Sequence, residues 1–262
     1  MAELDGQVVI VTGSSTGIGA ATARACARRG ALVVVNGRER EKTERVAAGL
    51  ERPGAHFVAD IADPAACREI VEFAVDTFGK LDGIVNNAAV MTRTTLAGTD
   101  EKNFDYIISV NLRAPVLVSR AALPHLKAAE NASVVNIGSV NAYCGEPNLL
   151  AYSISKGGLM TATRNLANAH ASDGIRFNQL NVGWTVTENE DEIIRNEGPG
   201  ADWLKHLKPE YRPSGALLSP ENIAHHVVHW LSAESSPISG SIVDLEQYPV
   251  VGRLTADSRF LS

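Results

Sequence analysis

A doubly wound parallel α/β fold is what this sequence predicts, and three observations carry that expectation. Short runs rich in β-branched residues alternate with longer amphipathic stretches along most of the 262 residues. Most of the short runs carry apolar residues on both faces, as parallel strands buried between two helix layers should. A glycine-rich turn, "VTGSSTGIG", stands between the first run and the first helix-length stretch. Strands alternating with helices close into one sheet through right-handed crossovers, here about seven strands with helices on both faces.

The first strand is read at 7–12 ("QVVIVT") and is followed by a helix over 18–29. "LVVVN" (32–36) and a helix over 39–50 come next, then "HFVA" (56–59). The helix over 64–78 starts at Asp63-Pro64, a capping residue followed by proline at the first helical position. "GIVNN" (83–87) leads to a long helical stretch, 101–128; "SVVNIG" (133–138) leads to a helix over 151–171. "IRFNQLN" (175–181) and "GSIVDL" (240–245) complete the strands. No repeat, linker or break in composition divides the chain, so 1–262 is read as one domain. Two late segments depart from the alternation. Residues 184–215 are polar and interrupted by Gly and Pro, and a long excursion of this kind is commonly a functional lid. A tail, 245–262, follows the last strand.

Composition narrows the function classes. Hydrophobic residues make up 45% and charged residues 21% of the chain, ordinary values for a soluble globular protein. The net charge of −6 argues against a nucleic-acid partner, whose backbone needs a basic face, and against an anionic membrane surface. Cys26, Cys67 and Cys144 are odd in number and widely spaced, which suggests neither a disulfide framework nor a zinc site. No secretory signal and no apolar run of membrane-spanning length is visible. The expected location is the cytoplasm.

The glycine turn is Gly13, Ser14, Ser15, Thr16, Gly17, Ile18, Gly19. Glycine there permits positive φ and lets backbone amides approach a pyrophosphate at a helix N-terminus. No Gly-Lys-Ser/Thr follows, so it is not a triphosphate loop. Further on, "GSVNAYCGEPNLLAYSISKGG" (138–158) sets Tyr152 and Lys156 four residues apart, with Ser139 thirteen residues upstream of the tyrosine. "TGSSTGIG", "NNAA" (86–89), Asn111, Ser139 and Tyr152-Ser-Ile-Ser-Lys156 occur together and in order. The chain closely resembles the short-chain dehydrogenase/reductases over residues 5–183. The resemblance implies a Rossmann-type sheet and hydride transfer between a nicotinamide cofactor and a secondary alcohol or ketone.

Tyr152 is the expected general acid/base. An unperturbed tyrosine titrates near pKa ~10; a lysine four residues on shares its helix face, and its charge is expected to favour the phenolate. The resemblance gives Lys156 a second role on the nicotinamide ribose. It assigns Ser139 to the substrate oxygen and Asn111 to a local helix distortion that holds a proton-relay water. The glycine-loop residues Gly13, Ser15, Thr16, Gly17, Ile18 and Gly19 are expected to hold the pyrophosphate. Asp60 and Ile61 are expected at the adenine, Asn87 and Ala88 beside the adenosine, and Thr187 at the carboxamide. Asp63 is better explained as a helix cap.

Two departures from the family pattern stand out: Ala89 where many relatives carry glycine, and Val182 in place of the proline of "NVGW". His225 and His229 have the spacing of a helical metal pair but lack a third ligand, so no metal is expected. Trp203 and Trp230 read as packing residues, and nothing marks Cys144 as a reactive thiolate.

Cofactor choice turns on "VVVNGRER". An acid ending the second strand would favour NAD; here the position is Gly37, followed by Arg38, whose guanidinium suits a 2′-phosphate. NADP(H) is expected and NAD(H) is the alternative. By resemblance the chain forms a homotetramer or homodimer through 101–128 and 151–171, with Val116, Leu117, Leu123 and Leu126 as a compatible apolar face. Asn141, Glu146, Asn148 and Trp184, with Ser139 and Tyr152, are the expected substrate contacts. Together with the acid-rich lid ("ENEDE", 188–192) they suggest a sugar, polyol or similar polar alcohol. The rivals are a β-ketoacyl thioester reductase, which would call for basic docking residues, and a non-catalytic cofactor sensor.

Overall fold

The computed structural model describes residues 3–197 and 202–249. Seven parallel strands form one sheet in the order β3-β2-β1-β4-β5-β6-β7. They are β1 (Val8–Val11), β2 (Leu32–Gly37), β3 (Ala55–Val58), β4 (Gly83–Asn86), β5 (Ser133–Ser139), β6 (Arg176–Val182) and β7 (Ile242–Leu245). Helices α1 (Gly17–Arg28), α2 (Arg40–Ala48), α3 (Pro64–Phe78), α4 (Glu101–Ile108) and α5 (Ala114–Ala128) alternate with the first five strands. A short α6 (Asn141–Cys144) precedes α7 (Leu150–Ala169), and α8 (Glu188–Glu197), α9 (Trp203–His206) and α10 (Pro220–Leu231) lie between β6 and β7.

The uninterrupted apolar runs are explained by burial on both faces. Val9, Val11, Val33 and Val35 join a core with residues of α1 and α10, while Val8, Ile10 and Val34 join a second core with α3 and α5. Successive side chains on a strand point to opposite faces, so each strand feeds both cores. Strand order reverses between β1 and β4. Loops leaving two such strands diverge and open a crevice at their carboxyl ends, and here those loops are the glycine turn and Asn87–Val90.

The stretch read as one helix over 101–128 contains a π-helical turn at Ser109–Arg113, where the Ala114 N–H reaches back to the Ser109 carbonyl. Pro115 has no N–H for the Asn111 carbonyl four residues back, and its ring crowds that carbonyl, so the helix widens there. Strand β6 runs through Val182, which pairs with Leu245 on β7 and Ser139 on β5. With valine in place of proline the ladder simply continues.

The proposed pairing face divides on inspection. Leu126 is fully buried in the core, Leu117 and Leu123 pack half-buried against it, and only Val116 is exposed. Three of those four leucine and valine side chains therefore serve the chain's own interior. The tail beyond residue 249 lies outside the described residues, and no helix among those described is long and apolar enough to cross a membrane.

Candidate active site

The glycine turn is held from β2 and β4 by polar side chains. Asn36 accepts from the Gly13 N–H at 3.2 Å and donates to the Phe57 and Ala59 carbonyls. Asn87 donates to the carbonyls of Thr12 and Gly13, both at 2.9 Å, and the Thr12 hydroxyl accepts from the N–H groups of Asn87 and Ala88. Asn87 thus ties the end of β4 to the glycine turn; the tie between β4 and β5 comes from its neighbour Asn86, which donates to Asn136. Gly13 sits at φ +62°, and a Cβ there would stand 2.7 Å from the Ala88 Cα; one at Gly19 would collide with Asn87 and the Gly13 carbonyl. Only glycine fits this close approach.

The turn suits an anion. The first turn of α1 carries no acid, and Thr16 at its N-cap makes no side-chain cap bond, so the helix N–H groups and dipole are left for a phosphate. Ser14 is buried and donates to the Val11 carbonyl, whereas Ser15, Thr16, Gly17 and Ile18 are half-buried along the lip. The Thr187 methyl lies 3.4 Å from where a Gly17 Cβ would be, which places the start of the 184–215 segment across from the loop. The Thr187 hydroxyl accepts from the Glu190 N–H and keeps its own hydrogen to donate.

At the end of β2, a Cβ at Gly37 would stand 2.5 Å from the Thr43 Oγ1 and 2.7 Å from the Ser15 Cβ. A side chain at that position would require Thr43 and Ser15 to shift. Arg38 donates to the Tyr106 hydroxyl at 2.7 Å, which donates to Asp60 Oδ2 at 2.8 Å. Arg38 itself lies 3.9 Å from Asp60, and both side chains are largely exposed. Asp60 also accepts from the Ala62 N–H. Ile61 has its side chain in the core, which leaves its backbone for a ligand. Ala89 is exposed in the crevice.

Ser139 ends β5, and Tyr152 and Lys156 lie one turn apart on α7. The three converge: the Ser139 hydroxyl hydrogen-bonds the Tyr152 phenol, and Lys156 Nζ stands 5.6 Å from the tyrosine ring centroid. Lys156 is almost fully buried and donates to the Ile137 carbonyl at 2.7 Å; burial pulls its ammonium down to about 8. The electrostatics differ from expectation at the tyrosine. Burial raises the Tyr152 phenol, the hydrogen bond from Ser139 opposes this, and the Glu190 and Glu146 carboxylates raise it further. Lysine sits over the ring rather than at the phenol oxygen, so desolvation outweighs it and the phenol is held neutral.

Asn111 is buried in the π turn. Its amide donates to the Val90 carbonyl at 2.9 Å and to the Ser155 hydroxyl at 3.0 Å, and its oxygen accepts from the Val90 N–H at 2.7 Å. The helix distortion is present, while the side chain is committed to the β4 loop and α7.

The expected substrate contacts scatter. Glu146 acts on Tyr152 through its charge, and Asn141 donates its backbone N–H to the Ser139 hydroxyl at 3.2 Å. Asn148 holds the Thr94 N–H with its carbonyl. Trp184 stacks on Trp203 at 5.8 Å and meets the Tyr211 edge, so that face is not open to a sugar ring. Asp191, also in the acidic run, accepts from the Trp203 indole and pairs with Arg195, and these bonds hold its carboxyl below the ordinary value. Instead the lid brings Glu190 to 3.7 Å from Arg93 on the β4 loop. Tyr106, Asn36 and Arg93 were not signalled by sequence spacing; each acts through a partner distant in the chain.

The short chain dehydrogenase family model matches residues 7–198, and the chain belongs to that family. It is an oxidoreductase of CH–OH groups that works with a nicotinamide cofactor. It is similar to gluconate 5-dehydrogenase of Gluconobacter oxydans, at 30% identity covering 92% of this chain and 93% of that one. It is similar also to 3-oxoacyl-[acyl-carrier-protein] reductase of Thermotoga maritima, at 29% identity over 93% and 97%. The solved structure of levodione reductase superposes with a TM-score of 0.85 at 26% identity, covering 93% and 97%.

Proposed function

We propose that this chain interconverts a small polar secondary alcohol, of the sugar or polyol kind, and its ketone, with NADP(H). The observation that carries the reaction is the convergence of Ser139, Tyr152 and Lys156 beside a glycine turn shaped for a pyrophosphate. Tyr152 gives up or takes the proton at its phenol oxygen, and Ser139 hydrogen-bonds the substrate oxygen where negative charge develops. The bound nicotinamide supplies or accepts the hydride. Lys156 binds the nicotinamide ribose, and Thr187 donates to the carboxamide. Both amide hydrogens of Asn111 are engaged, so a water relay there runs through its main chain. The segment 184–215 is the substrate lid.

The crowded Gly37 position and the neighbouring exposed Arg38 support NADP: no acid ends β2, and a guanidinium stands there to meet a 2′-phosphate in competition with Asp60. For assembly, Val116 on α5 and Ile154 on α7 are exposed apolar side chains on the two helices expected to pair, and we assign a homotetramer. A spectrophotometric screen of sugars, polyols and their ketones tests the reading, with NADPH and NADH in parallel. We expect a polyol or sugar ketone as best substrate and NADPH preferred. Faster turnover of a steroid ketone or an acetoacetyl thioester would overturn the substrate class.

A further inference from the structure

Two carboxylates from different elements act on Tyr152, and an arginine from a third element pairs with one of them. Glu190 is in the first turn of α8 with its side chain 13% exposed; it pairs across the crevice with Arg93 of the β4 loop, itself 28% exposed. Glu146 follows α6, and among the described residues no lysine or arginine pairs with it. The other nearby cation, Lys156, is turned to the Ile137 carbonyl in the floor. A substrate reaching Tyr152 therefore meets a partly buried ion pair, with the exposed Glu146 carboxylate farther out.

Resting on the polar-alcohol reading above, we infer that the Arg93–Glu190 pair and Glu146 form a charge filter that admits neutral and cationic substrates and refuses carboxylates. The guanidinium that would otherwise receive a substrate carboxylate already has a carboxylate partner, and displacing Glu190 would leave its charge partly buried and unpaired. Glu146 is exposed and adds a weaker, solvent-screened repulsion at the rim. Both carboxylates raise the Tyr152 phenol, in keeping with a place near the reacting atoms, and Glu190 is held there by its 3.7 Å contact with Arg93. An ammonium would meet the same two carboxylates with attraction.

Three matched ketones test this: aminoacetone, hydroxyacetone and pyruvate carry an ammonium-bearing, a hydroxyl-bearing and a carboxylate substituent on one acetyl group. With NADPH at low ionic strength, kcat/KM for aminoacetone and hydroxyacetone should exceed that for pyruvate by about tenfold or more. Glu190→Gln should release Arg93 and raise the pyruvate-to-hydroxyacetone ratio about tenfold. Glu192→Gln, the same charge change at an exposed position of α8, should leave that ratio where it was. Equal wild-type efficiency for pyruvate and hydroxyacetone, or equal shifts from the two glutamine variants, would overturn the filter. If none of the three is reduced, the polar-alcohol reading has failed for these ketones. The filter is then judged on their Kd values for the enzyme–NADPH complex, read by nicotinamide fluorescence, and pyruvate binding as tightly as hydroxyacetone overturns it.

Discussion

The cofactor side of the crevice and the 184–215 segment proposed as its lid are stabilised by different means. On the cofactor side, the side chains of Asn36, Asn87 and Thr12 bond backbone groups of the glycine turn and of the β3 and β4 ends, and strands buried on both faces support them. The lid instead has a miniature core of Ile194, Trp203 and Leu207 with Trp184 and Tyr211 packed against it. It joins the sheet mainly at its two roots. Thr185 bridges Leu218, Glu246 accepts from the Trp184 N–H at 3.0 Å, and Gln247 bonds Ser214 and the Ala216 carbonyl. A side shared by all substrates can be built into the sheet, whereas a side that chooses among them folds as an attachment with its own core.

The comparison breaks hardest at Tyr152. Tyr152→Phe should lower kcat by about a hundredfold or more while NADPH binding by fluorescence titration stays intact. Retained turnover would show that the proton moves elsewhere.

Lys156 sharpens it through stability. Its ammonium is pulled from 10.5 to about 8 by burial, which corresponds to a cost of about 3 kcal/mol in the cofactor-free fold below that pH. Between pH 8 and 10.5 the unfolded chain binds the extra proton, so wild-type stability should rise with pH across this window. Lys156→Met should be more stable at neutral pH, lack the rise, and lose turnover. Denaturant titration of the apo protein at several pH values checks the sign.

Much of the cofactor side was legible because its signals are local. Apolar runs mark strands, Asp63-Pro64 marks a helix start, and glycines mark the close approach at Ala88. Ser219-Pro220 carries the same start signal for α10, and the helix there is capped reciprocally by Ser219 and Asn222. The lid was legible only as an interruption. Whether Trp184 faces a substrate or Trp203, and whether Asp191 or Glu190 faces the crevice, depends on packing among residues far apart in sequence. The field at Tyr152 was misjudged for a related reason: helical spacing places Lys156 on the right face but does not reveal that burial outweighs its charge.

Smaller effects separate the two sides further. Arg38→Ala should raise the NADPH KM about tenfold through loss of charge-assisted bonds to the 2′-phosphate, with the NADH KM little changed. Equal effects on both cofactors would remove Arg38 from the choice. Gln247→Ala should loosen one lid root and raise the substrate KM about threefold at nearly constant kcat and cofactor affinity. An equal change in cofactor affinity would mean that the two sides are not mechanically separate.

The packing at Gly37 also constrains how this chain could evolve. Changing cofactor preference by placing an acid at the end of β2 is a single substitution on a backbone with room for it. Here the new side chain would have to enter the space of Ser15 and of Thr43, whose hydroxyl is bonded to the Glu39 carbonyl. Glycine-to-aspartate would need those neighbours to move or shrink, so the order of mutations matters. Were the proposed NADP preference to hold, steric history at Gly37 would help maintain it alongside the guanidinium beside it.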